Sequence, residues 1–236
     1  MSFLILALSI YWGAFSHAEK NLATLKIFVV DFDGQPPYDT EPYEPIVGPA
    51  ITELARQQLA STQAHLGYEF PPLSQFQHDP IEVRRAVYDW DAWAAIIINS
   101  NATAMLHSAI STGNASYDPL GACQLVYQSA RDNTNWFDFI YPNLSPFLTL
   151  VTSTVGEQWA KTVLQNATGN NAVIESAANV PQALNPAIGF SEYDLRPFYP
   201  YTAVPAVSIG LIYLIILSFF SFSFYLPIHF KVRGSR

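Results

Sequence analysis

Residues 203–226, AVPAVSIGLIYLIILSFFSFSFYL, decide the fold. No Asp, Glu, Lys or Arg interrupts the chain between Arg196 and Lys231, and about 20 apolar residues suffice to cross a bilayer. Tyr199 and Tyr201 on one side and Tyr225 near the other fit the aromatic belts of a membrane–water interface. The stretch therefore reads as a transmembrane helix over residues 203–227. Residues 228–236, with Lys231, Arg233 and Arg236, read as a basic cytoplasmic tail. The lipid bilayer is the first expected partner.

Composition agrees. Half of the 236 residues are hydrophobic and only 13% are charged, against about 25% in soluble domains. A net charge of −8 leaves no basic footprint for nucleic acid. The lone cysteine, Cys123, excludes an intrachain disulfide framework and reads as a small buried apolar residue.

Orientation comes from charge. Residues 19–196 hold 8 basic and 19 acidic side chains, a net of −11. Basic residues stay inside, so the acidic middle is expected outside. Four Asn-x-Ser/Thr acceptors, Asn101, Asn114, Asn143 and Asn166, lie in that same stretch and are glycosylation candidates. Pro146, just beyond the Asn143 triplet, weakens that acceptor. The expected localisation is the plasma membrane or secretory pathway, multi-pass, with the middle domain extracellular or lumenal.

Residues 1–18 contain SFLILALSIYWGAF, apolar but only 14 residues long. They read as a membrane anchor or as a cleaved signal segment with small residues at Ser16 and Ala18. Either one exports the domain that begins at Glu19.

Residues 19–176 read as an α/β (or α+β) extracytoplasmic domain flanked by transmembrane helices. Leu25–Phe32 (LKIFVVDF) is a buried strand ending at Asp33-Gly34. Val47–Leu59 is helical, Tyr68–Phe70 a short strand, and Asp79-Pro80 with Glu82 a capping-box helix start. Trp93–Asn99 is a strand, Ala102–Ile110 a helix and Ala122–Gln128 a strand. Leu148, Val151, Val155, Trp159 and Val163 repeat at helical spacing over Ser145–Asn166. The Pro- and Asn-bearing residues 177–202 read as a juxtamembrane connector.

The sharpest chemical motif is Asp31-Phe32-Asp33-Gly34 after a buried strand. It resembles the first motif of haloacid-dehalogenase-type phosphatases, where one carboxylate attacks phosphorus and the other moves a proton. The distal Asp-Asp or Gly-Asp pair of that chemistry is absent, and Gln35-Pro36 succeeds the motif. A structural corner, Asp accepting backbone N–H bonds and Gly turning the chain, accounts for it better. Asp89-Trp90-Asp91 reads as a turn. His17, His65, His78, His107 and His229 show no metal-ligand spacing. No catalytic, cofactor-binding or metal residue is expected, and the chain is not read as an enzyme.

The order of parts carries a further resemblance. Tyr11-Trp12-Gly13, Val30-Asp31-Phe32-Asp33-Gly34, Val47-Gly48-Pro49-Ala50 and residues 93–101, set between two apolar segments, resemble a fungal permease-like membrane family. That family carries a domain of unknown function and is associated with nitrosoguanidine resistance. It is distantly similar to ABC-2-type export permeases. The residues carrying the likeness are Trp12, Gly13, Asp31, Asp33, Gly34, Val47 and Gly48. The resemblance covers the N-terminal half of such a protein and implies a role in drug or lipid export, with other membrane subunits or self-association as partners. An incomplete permease form is the expected reading. A glycosylated surface binding or scaffold module without transport is the alternative, and a membrane-bound phosphatase a distant third.

Overall fold

The computed structural model describes residues 19–168, 171–199, 201–203 and 205–234. The expected anchor at 1–18, with Trp12 and Gly13, lies outside them. Residues up to Arg196 form one compact unit and those from Pro197 a second.

The first unit is built on a mixed five-stranded sheet ordered β2-β1-β3-β4-β5. The strands are β1 Lys26–Asp31, β2 Gly67–Glu69, β3 Ala94–Ile98, β4 Cys123–Tyr127 and β5 Phe190–Asp194. β1 pairs in parallel with β2 and β3, while β4 runs antiparallel to β3 and parallel to β5. Strands covered on both faces need near-continuous apolar runs. Ala94–Ile98 is buried at every position, as are Ile27–Val30.

The pleat sorts these residues. Ile27, Val29, Ile96, Ile98 and Leu125 face the larger cluster. That layer is supplied by α1 (Val47–Ala60), α3 (Ala102–Thr112), α4 (Tyr141–Ala167) and α5 (Asn171–Asn179). Val47, Ile51 and Ala55 of α1 are buried there, with Leu54 packed at the edge. Leu148, Val151, Val155, Trp159 and Val163 of α4 are buried as their spacing requires. A π-helical turn, Asn135–Ile140, leads into α4. Phe28, Val30, Ile97 and Val126 face the other way, onto α2 (Pro80–Tyr88) and Phe76. That second layer is thin.

Three readings need correction. At α2, Asp79 Oδ1 does cap the helix by accepting from Ile81 N (2.8 Å). Glu82 does not complete the box, because its carboxylate turns to Arg85 (3.0 Å). Residues 177–196 are part of the domain, not of a connector. Val180, Ala183, Ala187 and Ile188 are fully buried. Trp159 Nε1 donates to the Ala183 carbonyl (2.9 Å), Tyr117 Oη to the Ala187 carbonyl (2.7 Å), and β5 completes the sheet.

The third correction concerns the second unit. A π-helical turn at Ala206–Gly210 leads into α6, Leu211–Gly234, so the helix begins and ends later than 203–227. Lys231 and Arg233 occupy its last turn rather than a tail over 228–236, where cations suit the carbonyl end of the dipole. Residues 211–233 are long and apolar enough to cross a membrane, and every one of them is exposed. Ser218 and Ser223 donate to carbonyls four residues back within the helix, as Ser221 does to Leu217. Their hydroxyls are thereby satisfied without a partner helix.

Candidate functional site

Chain order around the sheet sets the site. β1 passes through α1 to β2 on one face, and β2 returns through α2 to β3 on the other. The C-terminal ends of β1 and β3 lie side by side, and the chain runs on from β1 toward β2 and from β3 toward β4, in opposite directions along the sheet, with α1 and α3 packed on the same face. In open α/β sheets, ligands bind in the crevice at such a switch point. Here the crevice is bordered by Asp31–Gly34 after β1, and by Ser100 and Thr103 after β3.

Pairing with β3 continues past the end of β1. Phe32 N donates to the Ile98 carbonyl and Gly34 N to the Ser100 carbonyl (both 3.1 Å). Gly34 then turns the chain at φ 71°, where a Cβ would also collide with the Pro45 ring. The proline-bearing loop it starts folds back to deliver Ile46 and Val47 to the same spot.

Asp33 is 5% exposed and occupies the centre. Its Oδ2 accepts from Val47 N (3.2 Å), Gly48 N (3.1 Å) and Thr103 Oγ1 (2.6 Å). Its Oδ1 accepts from Thr103 N (2.9 Å). Four bonds fill the acceptor capacity of an ionised carboxylate. Thr103 Oγ1 in turn accepts from Ile46 N (2.9 Å) and Val47 N (3.2 Å). One carboxylate thus holds the N-terminal N–H groups of both α1 and α3, the positions that attract a bound anion in ligand-binding α/β folds. The chain supplies its own anion.

Asp31 is placed differently. Its Oδ1 accepts from Asp33 N (2.9 Å), and its carboxyl lies against Gly48 so closely that a Cβ there would overlap it. Burial raises its pKa from 3.8 to about 6; the Asp33 N–H bond opposes this and the Asp33 charge adds to it. The folded state therefore holds the Asp31 proton more tightly than the unfolded chain does. The stabilisation this brings is full below about pH 4 and is lost as pH rises through 6. Asp31→Asn is expected to raise unfolding free energy at pH 7.5 by about 1–2 kcal/mol, the shift discounted for partial solvent screening. Parent and variant should converge at pH 4. Urea titration at both pH values checks this, and a variant less stable at pH 7.5 would contradict it.

His107 of α3 is sandwiched nearby. Tyr43 stacks on its ring (3.9 Å between centroids) and Trp159 meets it edge-on (4.7 Å). Burial lowers its pKa and the Asp33 charge partly opposes the shift. Cys123, beside Ile98 on β4, is fully buried and its thiol is pushed well up by burial and the two carboxylates. Between Asp33, Tyr38, Tyr43, Pro45 and Ser100 remains a cavity of about 10 Å³, room for about one water. Among the described residues no group of three His, Cys, Asp or Glu side chains is placed to hold a metal.

The fold brings Asp31, Asp33, Gly34, Val47 and Gly48 together, although 12 residues of sequence separate Gly34 from Val47. Sequence reasoning misses Thr103, His107 and Tyr43 as members of this group. In the sequence, Thr103 marks only the hydroxyl of the Asn101 acceptor triplet. The acceptors are scattered. Asn101 is half-buried before α3, and Asn143 is half-buried within α4 with Nδ2 donating to the Phe139 carbonyl (2.7 Å). Asn166 is exposed in the last turn of α4. Asn114 is exposed in a loop, and its Oδ1 accepts from Ser116 N (3.0 Å).

Among known protein families, the one described as "Protein of unknown function (DUF3533)" matches residues 1–236. An uncharacterized endoplasmic reticulum membrane protein of Saccharomyces cerevisiae is 26% identical over 247 residues, covering 94% of this chain and 45% of the relative. The chain thus spans about half the length of that relative. No solved structure matches.

Proposed function

The chain belongs to the DUF3533 family, and from that premise we propose that it is the membrane-anchored, lumenal α/β module of a permease-like protein serving toxicant resistance through drug or lipid export. Family membership and the yeast relative support a membrane protein. The observation that carries the module's role is the Asp33 carboxylate seated on the N-termini of α1 and α3. Those donors, which would otherwise bind a substrate anion, are used in holding the domain together. The domain then acts by presenting its surface, and export belongs to the whole protein, with other membrane subunits or a second copy as partners. No cofactor is required in this reading.

A lumenal domain receives N-glycans where the folded surface has room for them. The exposure of Asn114 and Asn166, against the half-buried Asn101 and Asn143, selects the first pair. Removing N-glycans enzymatically should increase gel mobility. Asn114→Gln combined with Asn166→Gln should abolish that shift, while Asn101→Gln with Asn143→Gln should leave it. A parent chain without any shift would contradict the lumenal orientation.

A further inference from the structure

The thin face of the sheet carries large side chains that are exposed to solvent. On α2 and the turn after it, Ile81 is 66%, Tyr88 44% and Trp90 56% exposed, and Tyr193 of β5 is 41% exposed. A soluble surface scatters such residues singly; a contiguous group marks an interface.

Arginines accompany them in a consistent way. The Arg84 guanidinium lies 4.4 Å from the Tyr193 ring centre, Arg196 lies 3.9 Å from Tyr88, and Arg131 lies 3.9 Å from Trp93 and 5.6 Å from Trp90. The ion pairs of the described residues are Lys26–Glu69 and Arg85–Glu82, which use none of these three. Among the described residues, then, no carboxylate neutralises any of the three guanidinium groups. Arg84 Nε and Nη2 donate to Gln124 Oε1 (3.2 and 2.6 Å) and Arg131 Nη1 to the Ala92 carbonyl (2.8 Å), so a phosphate would meet their remaining N–H groups and the exposed Arg196.

The chain also leaves the domain here. Leu195 packs on the same cluster and the Arg196 carbonyl accepts from Ala130 N (3.0 Å). Only residues 197–205 separate Arg196 from the helical turns that begin at Ala206. Nine residues reach at most about 30 Å when fully extended. Trp, Tyr and Ile with Arg are the side chains that settle at the headgroup boundary, apolar body inward and polar tip at the phosphates.

The geometry points to this face, Ile81 to Tyr88 with Trp90 and Tyr193, as a docking surface for the phospholipid headgroup layer, laying the domain on its own membrane. This rests on the membrane-anchored reading for the presence of the bilayer but not on export.

The test uses the full chain reconstituted in vesicles of phosphatidylcholine with about a third phosphatidylserine. The lone native thiol, Cys123, is fully buried, so a nitroxide can be placed selectively on Ile81→Cys or, as control, on Leu164→Cys. Leu164 is 65% exposed on α4, across the sheet. The readout is spin-label collision with oxygen, which partitions into lipid, relative to a water-soluble nickel chelate. The oxygen-to-nickel ratio at position 81 should exceed that at position 164 by about fivefold or more. Adding Tyr88→Ser and Trp90→Ser should bring it down to the control value, with circular dichroism unchanged. Equal, aqueous ratios at the two positions would overturn the inference and leave the face to a protein partner. Resistance of the same vesicles to alkaline extraction scores the anchor separately, so the two readings can fail independently.

Discussion

Asp33→Ala is expected to cost the α/β domain about 4 kcal/mol or more, enough to leave much of it unfolded. The substitution strands Gly48 N and Thr103 N, together with the Thr103 hydroxyl, in a buried site, and leaves Val47 N only its bond to Thr103 Oγ1. A buried donor left without a partner costs about 1–3 kcal/mol, and the N-termini of two helices lose their counter-charge at once. Pulse proteolysis of the full chain in detergent reads the effect. Asp33→Asn should fall between parent and Asp33→Ala, since an amide oxygen retains some of the acceptors. An Asp33→Ala chain as stable as the parent would show that the carboxylate is dispensable to the corner.

Gly48→Ala should be nearly as damaging, at about 2–4 kcal/mol. Gly48 is the second residue of α1, where alanine is ordinarily the better helix former. The added methyl would occupy the space of the Asp31 carboxyl group. Relief requires either withdrawal of α1, which breaks the Val47 and Gly48 bonds to Asp33, or rotation of Asp31 away from Asp33 N. The two sites should therefore couple strongly. In an Asp31→Ala background the colliding atoms are gone, and Gly48→Ala should cost less than about 1 kcal/mol. Denaturant titration of the four chains gives the coupling. Additive effects would mean that the close approach of Gly48 to Asp31 does not govern this position.

Much of the framework is legible in local pattern. The β-branched runs at 25–32 and 93–99 mark β1 and β3 to within a residue or two, and the repeat from Leu148 to Val163 marks α4. The Asp31–Gly34 corner is also visible, as a carboxylate pair and a turning glycine after a buried strand. Its partners are not. Thr103 lies 70 residues from Asp33, and α3 meets α1 on one face because β4 runs antiparallel to β3, which no local signal encodes. Gly48 looks like a helix-start residue, and nothing nearby in sequence announces the carboxyl group against it. β5 escapes for another reason: FSEYD, an edge strand, has no fully buried position and so lacks an apolar alternation. At α6, apolarity reports the stretch able to cross a membrane, whereas backbone hydrogen bonding carries the helix on through Lys231 and Arg233.

The central claim is that Asp31 and Asp33 build a domain that works by presentation rather than by reacting. Survival on nitrosoguanidine tests it most directly. The assay strain lacks the endogenous relative and carries the full-length protein either as parent or as Asp31→Asn, with protein level quantified in parallel. The account predicts that Asp31→Asn retains resistance at equal or higher protein level. Resistance abolished at an undiminished protein level would make Asp31 a reacting group and contradict it.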